Sequence, residues 1–359
     1  MDQRRIALTH WARHELTDLL NWHGCEIVLE ALGGDASFRR YFRARLPTAS
    51  YILVDSPPDR EDCRIFVTIA RAFSEAGLHT PGVLRVDPQA GFMLLEDLGD
   101  DLYLDALKSA GPDSPLRDQL YDAAIDALLR LQSRQDASTL PPYDLALLMR
   151  EMQLFDEWFC RRFLAMELSG QDLRIINNAY GLLAQEALAQ TQVAVHRDYH
   201  SRNLMIPPGW LTSATTPASA GPGVIDFQDA VNGPCTYDLV SLLRDCYIRW
   251  PESYVASKAL QYKRAAQSAG IIPAMADDRF LRQFDLMGLQ RHLKVMGIFC
   301  RLCIRDNKPA YLGDIPLVMD YFTDVAARHE ELSEFLGWFR DRVLPLAMPR
   351  LQAAVPCEP

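Results

Sequence analysis

The sequence predicts an α+β chain of two lobes: a small β-rich lobe over residues 1–95 and a larger, mainly helical lobe over 101–359, with a short connector at 96–100. Three observations predict it. Short β-prone runs punctuated by glycine and proline crowd into the first 95 residues. From residue 101 onward, apolar residues recur mostly at helical spacing. At 359 residues the chain is long enough for two lobes, each with a core.

The elements follow in order. Residues 4–22 carry Ile6, Leu8, Trp11, Ala12, Leu16, Leu19 and Leu20 at near-helical spacing, which predicts an opening helix. Residues 26–32, 38–46 and 50–54 read as three strands, the first leading into Gly33-Gly34-Asp35-Ala36-Ser37. Two glycines let backbone N–H groups approach an anion closely, and Ser37 adds a hydroxyl. Most such turns only close hairpins; placed before a strand and ahead of the polar loop described below, this one is a candidate phosphate lid. A helix from Asp59, with Ile65, Phe66, Ile69, Ala70 and Phe73 on one side, ends at Gly77 and Pro81 and backs the small sheet. Residues 92–95 form another strand, and Glu96-Asp97-Leu98-Gly99 leads into the helices. The aromatic face of 145–168 (Phe155, Trp158, Phe159, Phe163) reads as core. Residues 207–223 have the composition of an exposed, mobile insertion without catalytic content. Further helices are expected at 235–248, 254–269, 280–304 and 316–328.

Chemistry concentrates at 193–229. An apolar run precedes His196-Arg197-Asp198-Tyr199-His200-Ser201-Arg202-Asn203, and Val224-Ile225-Asp226-Phe227-Gln228-Asp229 follows the insertion. A lone Asp in a loop usually caps a helix or makes a turn. Asp198 and Asn203 in H-R-D-x-x-x-x-N spacing, with a later Asp before Phe, match a phosphoryl-transfer site instead. The first Asp orients the attacking hydroxyl, and the Asn and second Asp hold Mg²⁺ at the phosphates. The plain structural reading is a hairpin whose strands hold two carboxylates close together. Arg291 and Lys294, three apart in the helix expected at 280–304, share a face in a chain poor in lysine and are candidate acceptor-binding cations.

Composition sets limits. A net charge of −10 argues against a nucleic-acid backbone as partner, though not against ATP, whose Mg²⁺ brings its own charge. No apolar run reaches membrane-span length and the first residues are not signal-like, so no membrane partner is expected. Eight scattered cysteines fit a reducing cytoplasm. Cys300 and Cys303 read as neutral thiols, and His10 and His14 as surface residues.

On these motifs the chain resembles the aminoglycoside phosphotransferase/choline kinase superfamily, small-molecule relatives of the protein kinases. The resemblance implies a protein-kinase-like bilobal fold, with ATP and Mg²⁺ as cofactors. Gln228, where protein kinases have the Gly of D-F-G, favours the small-molecule branch. Within the superfamily the segments 34–43, 94–100, 195–203 and 291–301 resemble the anomeric amino-sugar kinases of bacterial cell-wall recycling. That implies transfer to the anomeric hydroxyl of N-acetylmuramate and N-acetylglucosamine by a cytoplasmic monomer or weak dimer. The implied nucleotide contacts are Gly33, Gly34, Asp35, Ser37, Arg40, Arg43, Leu94, Glu96 and Leu98, with the 96–100 connector reading adenine. The implied acceptor contacts are Asp198, His200, Arg202, Asp229, Arg291 and Lys294. Same-fold kinases of an aminoglycoside, choline or homoserine, and a non-catalytic nucleotide-binding regulator, are the alternatives.

One departure stands out. Kinases pair the phosphates with a lysine on the third strand, yet no lysine precedes Lys108, and Asp55 stands where it is expected. Of the arginines at 39, 40, 43 and 45, alternation puts Arg39 and Arg43 on one face and Arg40 on the other. Arg43 is the first choice as substitute and Arg40 the second, with binding by backbone and metal alone as the alternative.

Overall fold

A computed structural model of the protein describes residues 2–20, 27–33, 38–47, 49–111, 114–211 and 221–354. Gly34, Asp35 and Ser37 of the glycine turn, and residues 212–220 of the insertion, lie outside the described residues.

The elements begin with α1 (Gln3–Leu20), β1 (Leu29–Ala31), β2 (Arg40–Arg45), β3 (Ser50–Asp55), α2 (Cys63–Glu75), β4 (Val83–Asp87) and β5 (Phe92–Glu96). Next come α3 (Tyr103–Ala110), α4 (Pro115–Arg134), α5 (Leu145–Leu154) with a π-helical continuation Phe155–Phe163, α6 (Gly170–Leu188), β6 (Gln192–Val195), β7 (Leu204–Met205), β8 (Gly223–Val224) and β9 (Val231–Pro234). The chain closes with α7 (Tyr237–Leu243), α8 (Glu252–Ser268), α9 (Asp277–Asp306), α10 (Ile315–Ala326), α11 (Ser333–Trp338) and α12 (Leu344–Ala354). Two compact units emerge, Met1–Tyr103 with Asn203–Asp229, and Leu104–Arg202 with Ala230–Pro359.

In the first unit, five strands form an antiparallel sheet in the order β1-β2-β3-β5-β4. Strand alternation sends Phe42, Ala44, Leu53, Phe92 and Leu94 to one face, where they pack on Leu8, Ala12 and Leu16 of α1. Helix α2 starts at Cys63 rather than Asp59, because the Asp62 carboxylate accepts the Arg64 N–H and caps it. Its Phe66, Ile69, Ala70 and Phe73 are buried. Strand β4 escaped the sequence pattern because its residues are all half-buried and show no alternation.

The second unit is built around α9, buried along most of its 30 residues. It packs against α5 to α8 and α10, and Gly297 is required where it presses on the backbone of Leu154: a Cβ there would lie 2.3 Å from the Leu154 carbonyl carbon. The aromatic face of 145–168 is core, with Phe155 and Phe159 fully buried beside Phe335 and Phe339. Helix α7 is shorter than the 235–248 expected, because Arg244 leaves helical conformation. Among the described residues no helix is long and apolar enough to cross a membrane.

The expected single hairpin at 193–229 is two separate ladders. Strand β7 pairs with β8, whereas β6 pairs with β9 beyond the motif.

Candidate active site

The chain passes from the second unit to the first between Arg202 and Asn203, so each unit holds part of the motif.

In the second unit, β6 delivers the loop that carries Asp198. Arg197 sits at φ 78°, a left-handed conformation costly for any residue with a Cβ. The buried Asp238 carboxylate of α7 holds it there, accepting the N–H groups of His196 (2.7 Å) and Arg197 (3.0 Å). Asp245, just past α7, accepts the N–H (3.0 Å) and hydroxyl (2.5 Å) of Ser201. Tyr199 donates to the Ala124 carbonyl at 2.8 Å. Two carboxylates thus brace the loop at either end of Asp198.

Asp198 is half-buried. Burial alone would raise its pKa, but Lys294, then His200, Arg197 and Arg291, hold it below the usual carboxylate range. It is ionised, ready to accept a hydrogen bond from a hydroxyl. Lys294 donates to Tyr237 (2.9 Å) and pairs with the buried Glu151 at 3.1 Å; Arg197 and the Tyr143 hydroxyl also bond Glu151. Burial works against the charge on Lys294, and Glu151 outweighs it, raising the ammonium pKa.

Arg291 is treated differently. It is only 3% exposed, its Nη1 lies 3.2 Å from the Cys246 sulfur, and no carboxylate of the described residues is within ion-pair distance. Burial, then the Arg291 charge among others, lowers the His200 pKa, so that ring is neutral at neutral pH. His200 stands edge-on to Tyr247, whose ring also carries Arg202 at 3.7 Å. Asp238 is itself pushed up to about 7 by burial.

In the first unit, Asn203 enters β7, and its carbonyl accepts the Ile225 N–H at 3.1 Å. Asp226 adopts φ 64°. The Asn203 amide lies 3.4 Å from one Asp226 oxygen, and Gln228 donates to the other at 2.8 Å. Phe227 is fully buried, its ring 4.9 Å from Phe66 and 6.0 Å from Phe73 of α2. Among the described residues no cluster of three or more His, Cys, Asp and Glu can hold a metal. One carboxylate and one carboxamide make a sparse oxygen set, which fits Mg²⁺ shared with waters and phosphates. Asp229 is exposed.

The nucleotide residues expected from sequence are scattered. Arg43 is 4% exposed and bonds Asp97 (2.7 Å), Asp100 (2.5 Å) and the Gly99 carbonyl (2.9 Å), tying β2 to the 96–100 connector. Arg40, on the α1 face, pairs with Asp2 and with the buried Asp55, which also bonds Arg4. Both guanidinium groups are paired with carboxylates of the fold. Leu94 packs into the α1 core and offers no side-chain surface to a ligand. Leu98 is buried, and Glu96 bonds His79 (3.2 Å) and the Gly82 N–H (3.1 Å). Gly33 ends the described part of its turn. Sequence reasoning missed Glu151 and Asp245, both remote from the loop they support.

Residues 28–277 match the model of a phosphotransferase enzyme family. The chain is 46% identical over 301 residues to an N-acetylmuramate/N-acetylglucosamine kinase from Pseudomonas aeruginosa, covering 84% of each chain. It is 42% identical to one of the same name from Pseudomonas putida, covering 93% of this chain and 95% of that one. Among solved structures, an ADP-bound aminoglycoside phosphotransferase aligns with TM-score 0.57 at 15% identity, over 90% of this chain and 99% of that one. A choline kinase from Streptococcus pneumoniae aligns with TM-score 0.54 at 12% identity, over 89% and 99%. The two structures share the fold, and the chain belongs to the phosphotransferase enzyme family.

Proposed function

We propose that the chain is an ATP-dependent kinase that phosphorylates the anomeric C1 hydroxyl of N-acetylmuramate and N-acetylglucosamine, giving sugar 1-phosphates for cell-wall recycling in the cytoplasm. The observation that carries the reading is Asp198, kept ionised by a ring of cations on a doubly braced loop, in a chain close to kinases of that name. Asp198 accepts a hydrogen bond from the sugar O1–H and aims that oxygen at the γ-phosphorus; one carboxylate suffices because an anomeric hydroxyl is comparatively acidic. Asn203 and Asp226 hold Mg²⁺, which when bound supplies positive charge to the phosphate oxygens. The Gly33–Ser37 turn covers the phosphates, and the 96–100 connector meets adenine through its backbone. Arg291, buried beside Asp198 and without a carboxylate partner among the described residues, fits the lactyl carboxylate of N-acetylmuramate, while Lys294 serves Asp198 from its post on Glu151. His200, Arg202 and Asp229 stand as further acceptor contacts.

A coupled assay of ADP release tests the reading against both sugars, their methyl glycosides, an aminoglycoside, choline and homoserine. The free sugars should consume ATP and the methyl glycosides, blocked at O1, should not. Turnover of the glycosides with phosphate on C6 would overturn the anomeric assignment. Turnover of choline or an aminoglycoside in place of the sugars would overturn the acceptor class.

A further inference from the structure

The chain has no lysine before Lys108, and the residue at the end of β3 is Asp55, buried and bound by Arg4 and Arg40. Unless backbone and metal alone bind the phosphates, another cation has to take that place. Arg43 and Arg40 each lie between two carboxylates of the fold. Arg39 is placed otherwise. It stands just before β2, on the face it shares with Tyr41, and its Nε lies 2.5 Å from Glu61. The other Glu61 oxygen accepts the Phe38 N–H at 2.9 Å. Glu61 therefore fixes both the guanidinium and the backbone where the glycine turn rejoins the sheet. The base of that turn is closed by the Leu32 N–H on the Tyr41 carbonyl at 2.9 Å.

The same neighbourhood includes Asp226. Glu61 lies one residue before the Asp62 cap of α2, whose Phe66 and Phe73 flank Phe227, the residue after Asp226. Burial raises the Tyr41 hydroxyl pKa; Arg39 opposes the rise, and Asp226 and Glu61 add to it, so each of the three lies within electrostatic reach of that hydroxyl. A guanidinium has five donors, so gripping one carboxylate leaves capacity for phosphate oxygens. A lone acid that clamps a cation near the metal-holding Asp is also the charge arrangement kinases build from a lysine and a glutamate.

We infer that Arg39, clamped by Glu61, is the cation that grips the phosphates of the bound nucleotide, a task moved from the third strand to the start of the second. The inference rests on the nucleotide-using reading above, but its test needs no acceptor. Calorimetry on the full chain with Mg·ADP and, separately, with adenosine separates phosphate contacts from base contacts. Arg39→Gln should weaken Mg·ADP by about tenfold or more and leave adenosine within about twofold of the parent. Glu61→Gln, which keeps the Arg39 charge but removes the carboxylate that holds it, should show a smaller loss of the same kind. If Arg39→Gln does not fold, Glu61→Gln decides. Equal weakening of ADP and adenosine, or ADP affinity within about twofold of the parent in both variants, would overturn the assignment and favour backbone and metal alone. A parent chain that binds neither ligand would instead sink the nucleotide reading itself.

Discussion

The loop carrying Asp198 and the turn carrying Asp226 meet the same difficulty in opposite ways. Each holds a non-glycine residue in left-handed backbone, Arg197 at φ 78° and Asp226 at φ 64°. The first is held by buried charge: Asp238 and Asp245 grip its backbone, while Glu151 pairs with Arg197 and Lys294. The second is held by apolar packing, Phe227 between Phe66 and Phe73, and by the short β7–β8 ladder. On the proposed reading, the difference follows from what each region would do. A residue that handles a proton needs a fixed electrostatic field around it, whereas one that supplies an oxygen to a hard cation needs only a fixed position.

The contrast is sharpest in catalysis. Asp198→Asn should lower turnover by on the order of 10²–10⁴ with nucleotide affinity nearly unchanged, since it removes only the hydroxyl-orienting charge. Asp226→Ala should instead abolish Mg²⁺-dependent nucleotide binding. Steady-state kinetics beside calorimetry separates the two, and loss of nucleotide binding in Asp198→Asn would erase the division of labour.

Stability comes next. Glu151→Ala strands Lys294 and Arg197 in the interior and should cost about 3–5 kcal/mol of unfolding free energy. Phe227→Leu, which keeps most of the apolar volume, should cost about 1 kcal/mol. Denaturant titrations that ranked these the other way would mean that charge does not hold the first loop.

A smaller effect concerns the acceptor. Arg291→Met should lower kcat/KM for N-acetylmuramate more than for N-acetylglucosamine, by ~1–3 kcal/mol for one charge-assisted contact. Equal losses on both sugars would make Arg291 a packing residue.

The smallest effect is in pH. Asp238 must be ionised to accept both N–H groups, and its pKa is about 7, so turnover should fall a fewfold as pH drops through that value. Stability should run the other way. Burial raises this pKa on folding, so its contribution to stability is full below the ordinary carboxylate range and is lost as pH rises through about 7. Asp238→Asn should flatten both profiles relative to the parent; an unchanged acid limb would assign it to another group.

These regions also differ in how far they could be read from the sequence. Asp198, Asn203 and Asp226 stand out as candidates because the H-R-D-x-x-x-x-N and D-F spacings are local to the chain. The α1 face of the sheet and the helical pattern around α9 are legible for the same reason of period. What holds the Asp198 loop is not local: Glu151 lies 46 residues from Arg197, and Asp245 lies 44 from Ser201. No period connects them. Arg43 illustrates the same limit, since alternation gives its face but not Asp97, 54 residues on, which claims its guanidinium. Lys294 and Arg291 share a helical face, yet only the packing around them separates a cation fixed on Glu151 from one left without a carboxylate.

The pairing of Arg4 with Asp55 governs how the protein can be handled. Asp55 is fully buried and draws on two guanidinium groups, one from α1 and one from Arg40. Arg40 is in turn anchored by Asp2, so Asp2 and Arg4 both take part in holding that buried carboxylate. Trimming them for crystallisation would remove half of what neutralises that carboxylate, and a fusion partner placed there would crowd it.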